Sequence, residues 1–458
     1  MTLAEASEAL GATAVGPSVR FTSVSTDSRA IEPGALFVAL RGERFDGHDY
    51  IDAARALGAT AAMVERVAGG ASQAGAGMPL LVVGDTRLAL GSLARHWRNR
   101  FSVPVIGVVG SNGKTTVKEM IAASLRVHFG EREVLATLGN LNNDIGLPLT
   151  CLRLRTAHAC AVLELGMNHP GETRYLASIV RPTVAVINNA QREHQEFMRS
   201  VEEVAAEHAA LIGALPNDGV AVLNRDDPHY GYWVGVAGKR AVRDFGTAAG
   251  SSVHGRYRLE PASSEIEIAT GADRVAVALQ VAGLHNVCNA LAAAAASLAV
   301  GASLGAVARG LESFRAVKGR LQIKRGRNGT QVIDDTYNAN PDSVRAAIDV
   351  LAGSGPPRVL ILGDMAEVGT LGAAFHDEIG RYASERGVDR LLAVGTLART
   401  AAHAFGTGGE YFDSVEALIA RAQGLTAHKG TMLVKGSRSM RMERVLAHLL
   451  EGEATQCS

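Results

Sequence analysis

A continuous apolar run, Val103 to Val109, feeds directly into Gly110-Ser111-Asn112-Gly113-Lys114-Thr115-Thr116, and helix-forming residues follow from Lys114. Few folds accommodate that order. A strand, a glycine-rich turn and a helix N-terminus point several free backbone N–H groups at one spot. Together with the helix dipole they hold phosphate oxygens. Lys114 is then expected to reach the β- and γ-phosphates of a nucleotide, and the Thr115 hydroxyl to reach Mg²⁺. The whole run Gly110, Ser111, Asn112, Gly113, Lys114, Thr115 and Thr116 is the expected nucleotide cradle. One departure stands in it: the strict phosphate-loop pattern places a glycine where this chain has Val108. The competing reading is a plain βα turn with an accidental Gly-Lys-Thr. The coincidence of strand, turn and helix favours the phosphate loop.

At 458 residues the chain exceeds one ordinary core. Residues 1–102 read as a small mixed domain, with strand-like runs Ala35 to Leu40 and Leu80 to Val83 and a Gly/Ala/Ser loop from Ala68 to Gly77. The irregular basic run Arg98 to Ser102 marks its end. Residues 103–314 alternate strand and helix, with strands at Val103–Val109, Cys160–Leu165, Thr183–Ile187 and Val220–Leu223. Strands that are apolar throughout imply a parallel sheet covered on both faces. Short β-like runs over 250–283 suggest an antiparallel addition, and Asn286–Val300 a helix. Residues 315–458 repeat the α/β pattern, with strands at Gln331–Ile333, Val359–Leu362, Leu391–Val394 and Met432–Val434. The expected fold is therefore α/β in three domains: a small mixed N-terminal domain, a central phosphate-loop domain with a parallel sheet, and a C-terminal Rossmann-like domain.

Composition narrows the function. Lys+Arg and Asp+Glu both number 46, so no electrostatic footprint for nucleic acid exists. The N-terminus lacks the basic and apolar regions of a secretory signal. The most apolar stretch, Ala290 to Val307, is alanine-rich with serines, which suits a buried helix better than a membrane span. Cys151, Cys160, Cys288 and Cys457 form no CxxC pair, as expected of reduced buried thiols.

Two further side chains belong near the cradle. Glu164 ends an apolar strand, where a carboxylate points into the ligand crevice and can hold Mg²⁺. His194 follows the next strand and is a second candidate metal ligand. Asn224-Arg225-Asp226-Asp227 loosely resembles the guanine-reading motif of GTPases. The Asp-x-x-Gly that should precede it occurs only downstream, at Asp377 to Gly380, which argues against a GTPase switch.

With these residues assembled, the chain resembles the Mur ligases of bacterial cell-wall synthesis, and among them the branch that adds a dipeptide. The resemblance spans almost the whole chain. Its motifs run in order: Ser25 to Arg29, Phe37 to Leu40 and Phe45 to His48; Gly110 to Thr116; Gly139-Asn140-Leu141-Asn142-Asn143-Asp144-Ile145-Gly146; Glu164 to His169; Gly283 to Asn289; Gly319-Arg320; Asp334 to Pro341; Gly363 to Glu367; and Lys435 to Arg438. The Gly139 to Gly146 run best separates the dipeptide-adding branch from its relatives.

The resemblance implies an ATP- and Mg²⁺-dependent amide ligase. A UDP-MurNAc-tripeptide carboxylate would attack the γ-phosphate, and the amine of D-Ala-D-Ala would attack the acyl phosphate. Two anions must meet, so cations are needed: Lys114, Mg²⁺ on Thr115, Glu164 and His194, and Arg320 on the transferring phosphoryl. Asn286, Asn289 and Asp335 are the implied adenine and ribose contacts, with helix capping the alternative for the two asparagines. Implied substrate contacts are Ser28, Arg29, Asn140, Asn142, Asn143, Asn338, Lys435 and Arg438. The working unit is expected to be a cytoplasmic monomer with no nucleic-acid partner and no stable membrane insertion, closing its domains during the reaction. The family usually places a lysine, carbamylated in many members, fourteen residues after His194. Here that residue is His208, and no lysine lies between Lys118 and Lys239. The carbamate is not carried over; Glu207 or His208 would have to substitute. The rival readings are another Mur-type or folylpolyglutamate-type amide ligase, and a non-catalytic ATP-binding switch.

Overall fold

The computed structural model describes residues 1–65 and 77–452. The expected loop from Ala68 falls, over residues 68–76, outside the described residues, as does Cys457.

Three sheets organise three α/β domains. The first runs in spatial order Thr13–Val15, Leu80–Val83, Ala61–Glu65, Ala35–Val38, Ser23–Ser25. All its pairings are parallel except the first. The central sheet runs Asp273–Leu279, Ser264–Thr270, Val253–Leu259, Ala241–Gly246, Val220–Asn224, Val184–Ile187, Val105–Val109, Cys160–Glu164, Val134–Ala136. Its hairpins over residues 253–279 are antiparallel and the remaining pairs parallel. The third sheet carries one antiparallel edge strand, Gln322–Arg325, beside five parallel ones: Gln331–Asp335, Thr431–Lys435, Arg358–Gly363, Arg390–Val394 and Gly409–Phe412.

Continuous apolar runs in the central sheet have a direct cause. Side chains alternate across a strand, and here both faces are covered. Val105, Val109, Ala161, Leu163, Ala185 and Ile187 enter one core. Ile106, Val108, Cys160, Val162, Val184 and Val186 enter the other. Val108 is thus a fully buried strand residue, and the turn begins only at Gly110. The alanine-rich segment is the helix Leu284–Ala299, whose residues Ala290 to Ala296 are all buried. Small side chains let it sit against the sheet and the helix Lys114–Phe129. That helix in turn meets Leu304–Ser313 so closely that a Cβ at Gly310 would lie 2.3 Å from Ser124 Cα.

The third domain docks on the central one through named polar contacts. Arg192 donates to Asp342, with Nη2 to Oδ1 at 2.6 Å, and to Glu378, with Nη1 to Oε2 at 2.7 Å. Asn112 and Asn340 exchange amide hydrogen bonds at 3.3 and 3.0 Å. Among the described residues, no helix is long and apolar enough to cross a membrane. Cys151 and Cys160 are buried and Cys288 half-buried, with no disulfide among them; burial pushes all three thiols up to about 12.

Candidate active site

A cleft of about 1590 Å³ opens where the three domains meet, lined among others by Lys114, Glu164, Arg320 and Asp335. The glycine-rich turn forms its floor. Gly110 and Gly113 hold φ of +140° and +84°. A Cβ on Gly113 would lie 2.3 Å from Asn289 Oδ1 and 2.7 Å from Asn188 Nδ2, so glycine is required there on both counts. Asn188 lies at the end of the adjacent strand and was not singled out by sequence. Its Nδ2 donates to Asn112 O at 2.8 Å and to Asn289 Oδ1 at 2.9 Å. Asn289 Nδ2 then donates to Asn286 Oδ1 at 3.2 Å, and Asn286 Nδ2 to Ala282 O at 2.8 Å. This amide chain ties the alanine-rich helix to the turn. The capping alternative for the two asparagines fails, because Gly283 is the N-cap and no side chain caps that helix. Ser111 is fixed by Gln191, accepting its N–H at 2.8 Å and donating to its carbonyl at 3.2 Å. The buried Thr116 lines the same cleft.

Thr115 is the junction of the site. Its hydroxyl donates to Glu164 Oε1 at 3.0 Å and accepts from Arg320 Nη2 at 3.0 Å. Glu164 is only 2% exposed. Parallel pairing of Val108 with Glu164 sets the carboxylate level with the start of the turn. Oε1 also accepts from Asn142 Nδ2 at 2.7 Å, while buried Oε2 has no partner. An orphaned carboxylate oxygen beside a hydroxyl and a phosphate cradle is the donor set a hard cation such as Mg²⁺ takes, with phosphates completing it. Among the described residues no cluster of three or more His, Cys, Asp or Glu side chains forms a ready-made cage. Arg320 stacks on Tyr337, its guanidinium carbon 4.2 Å from the ring centre, which holds the planar head over Thr115.

His194 donates from Nδ1 to Glu367 Oε2 at 2.6 Å, leaving Nε2 3.7 Å from Glu193 Oε2. A carboxylate on one ring nitrogen orients the other, as second partners of ligating histidines do. Glu193, also missed by sequence, is 5% exposed. Its Oε2 accepts from Lys114 Nζ at 3.2 Å, and Oε1 lies 3.2 Å from Nε2 of the fully buried His208. Burial alone would raise its pKa. Lys114 and His208, then His194, outweigh that and hold the carboxyl down at about 2. Glu207 has a different task from the one considered above. It accepts from Gly171 N at 2.9 Å and Thr173 N at 2.7 Å, satisfying the start of the helix Glu172–Val180, so it is not a replacement for the family lysine.

The other expected contacts divide. Asn140 and Asn143 line the cleft beside Asn142; Asn143 Oδ1 also accepts from Gly146 N at 2.9 Å, shaping the loop. Asp335 and Lys435 face one another across neighbouring strands, 2.5 Å apart, and Lys435 also donates to Asn338 O at 2.9 Å. Lys435 is thus held within the cleft wall. Ser28, Arg29 and Arg438 do not line this cleft. Arg29 pairs with Asp27, and Arg438 with Glu443. His285, on the wall near Asp335, is pushed down to about 4 by desolvation, and its buried Nε2 has no partner.

Comparison with known proteins agrees along the whole chain. The models described as Mur ligase family, catalytic domain, as Mur ligase middle domain, and as Mur ligase, glutamate ligase domain match residues 20–98, 108–297 and 319–438. The UDP-N-acetylmuramoyl-tripeptide–D-alanyl-D-alanine ligase of Escherichia coli K12 is 42% identical over 455 residues, 98% of each chain. A crystal structure of MurF from Acinetobacter baumannii superposes with a TM-score of 0.90 at 35% identity, covering 97% of this chain and 98% of that one. MurF ligase from Thermotoga maritima in complex with ADP gives 0.81 at 28% identity, over 93% and 96%.

Proposed function

The chain belongs to the Mur ligase family, and on that premise we propose that it joins D-alanyl-D-alanine to UDP-N-acetylmuramoyl-tripeptide at the expense of ATP, in peptidoglycan precursor synthesis. The observation that carries this reading is the convergence on Thr115 and Glu164: Glu164 and Arg320 meet at the Thr115 hydroxyl at the start of the helix that follows the turn, and Asn142 donates to the same Glu164 oxygen. Asn142 lies in the run that marks the dipeptide-adding branch, so the phosphate site and the substrate loop share a carboxylate.

A carboxylate is a poor electrophile and must be phosphorylated before an amine can displace oxygen from it. One tripeptide carboxylate oxygen attacks the γ-phosphorus; the bond from that phosphorus to the β-bridging oxygen breaks, and ADP leaves. The dipeptide amine then attacks the acyl carbon. The C–O bond to phosphate breaks, the amine loses a proton, and phosphate departs with one carboxylate oxygen. Lys114 and Arg320 bring two positive charges to a meeting of anions, and the backbone N–H groups of Gly110 to Thr116 hold the phosphates. Thr115 and Glu164, with His194, are the residues that would hold Mg²⁺, which supplies charge neutralisation when bound. Asn286, Asn289 and Asp335 take the nucleoside end, and the Asn140 to Asn143 loop the substrate side. Residues 1–102, 103–314 and 315–458 divide this work, and a single cytoplasmic chain carries it out.

Transfer of ¹⁸O tests the chemistry. Tripeptide labelled in its terminal carboxylate is expected to yield phosphate carrying one ¹⁸O atom per turnover. Unlabelled phosphate would overturn the acyl-phosphate route.

A further inference from the structure

The ammonium of Lys114 has three donors, and all three are taken. They go to Gly110 O at 2.5 Å, Ser111 O at 3.2 Å and Glu193 Oε2 at 3.2 Å. A phosphate oxygen gains a hydrogen bond from Lys114 only if one of these is given up. Two of the acceptors belong to the turn itself. Glu193 does not; it reaches in from the loop that follows the strand Val184–Ile187. A buried carboxylate beside a phosphate cradle is a like charge and weakens anion binding. This one is nevertheless held in place. His208 is fully buried on the helix Val201–Gly213, with Nε2 3.2 Å from Glu193 Oε1. Neither ring nitrogen of His208 has an aligned hydrogen bond.

We infer that Glu193 is a positioning residue that exchanges Lys114 with the nucleotide phosphates, taking the lysine back as product leaves, and that His208 holds Glu193 in place for this exchange. Lys114 thereby always has an anionic partner. Its recapture competes with ADP and speeds release.

The inference rests on the nucleotide reading of the cradle, and ADP binding to the wild-type chain tests that reading separately. Glu193→Gln preserves shape and removes the charge. It is expected to bind ADP about tenfold more tightly, with kcat and the KM for ATP falling together as release slows. In a Lys114→Met background the same change is expected to alter ADP affinity less than threefold, because the group it acts through is gone. His208→Leu is expected to move ADP affinity in the same direction as Glu193→Gln. His208→Gln keeps a polar N–H group beside Oε1, 3.2 Å from the ring nitrogen it replaces, and is expected to restore the wild-type value. Melting curves confirm that each variant is folded, and the isosteric Glu193→Gln carries the test if His208→Leu is not. Unchanged or weaker ADP binding in Glu193→Gln overturns the inference. So does an undiminished effect in the Lys114→Met background, which would mean simple charge repulsion. Wild-type protein that fails to bind ADP would instead overturn the nucleotide reading.

Discussion

Glu164→Gln separates catalytic charge from folding. Oε1 accepts from both Thr115 and Asn142, whereas Oε2 is buried without a partner. The glutamine carbonyl must take the Oε1 position, because two donors point there. Its NH₂ then faces the position where the carboxylate offered a free lone pair, so an acceptor for a cation becomes a donor. Removing one preorganised electrostatic group of this kind costs about 2.7–4 kcal/mol in the transition state, on the order of 10²–10³ in kcat. Stability responds differently. Two hydrogen bonds to a charged acceptor become neutral ones, a loss of about 1 kcal/mol each. Against this, a buried carboxylate no longer has to be desolvated, which offsets several kcal/mol. The melting temperature is therefore expected to stay the same or rise. Steady-state phosphate release over a Mg²⁺ titration, alongside thermal melts, reads both quantities. A kcat within threefold of wild type would refute the reasoning, as would an activity loss explained by unfolding.

Other expectations follow from single contacts. Gly113→Ala pushes a Cβ to 2.3 Å from Asn289 Oδ1 at φ +84°; it is expected to cost about 1–3 kcal/mol of stability and to weaken ADP binding more than tenfold by calorimetry. Arg192→Ala leaves Asp342 and Glu378 without their shared guanidinium. It is expected to loosen the third domain by about 1–3 kcal/mol, seen as a larger radius of gyration in small-angle scattering and a lower kcat/KM for ATP. Asp244 is opposed by desolvation but held at about 2 by Ser252, Arg225 and Tyr230. Its folded pKa lies below the unfolded value near 3.9, so it stabilises above about pH 4 and that contribution is lost as pH falls towards 2. Asp244→Asn is thus expected to cost about 2 kcal/mol at neutral pH, and the gap from wild type in denaturant melts to close in that acid window.

The phosphate loop was legible because it is local. One strand, one turn and one helix are contiguous in sequence, and each has its own pattern. The continuous apolar runs also announced a sheet covered on both faces, and the two cores flanking Val105 to Val109 explain why. Short strands escaped notice. Val134–Ala136 is a three-residue edge, and Gly409–Phe412 and Gln322–Arg325 are half-buried edges with polar residues. Period-2 patterning carries little signal over three or four residues. The side chains missed around the cradle share another trait. Asn188 and Glu193 act on residues about eighty positions away, and their types are common in loops. Only the parallel pairing of Val105–Val109 with Val184–Ile187 brings them to the turn. Lys435 was an expected substrate contact only through the family resemblance; its pairing with Asp335 across neighbouring strands, which places it in the cleft wall, depends on a strand register that its local sequence does not reveal.

Phosphate release from ATP with UDP-MurNAc-tripeptide, measured with and without D-alanyl-D-alanine, tests the central claim most directly. Sustained release is expected only when both substrates are present, with one amide bond formed per phosphate. Release that proceeds at the same rate without the dipeptide would contradict it.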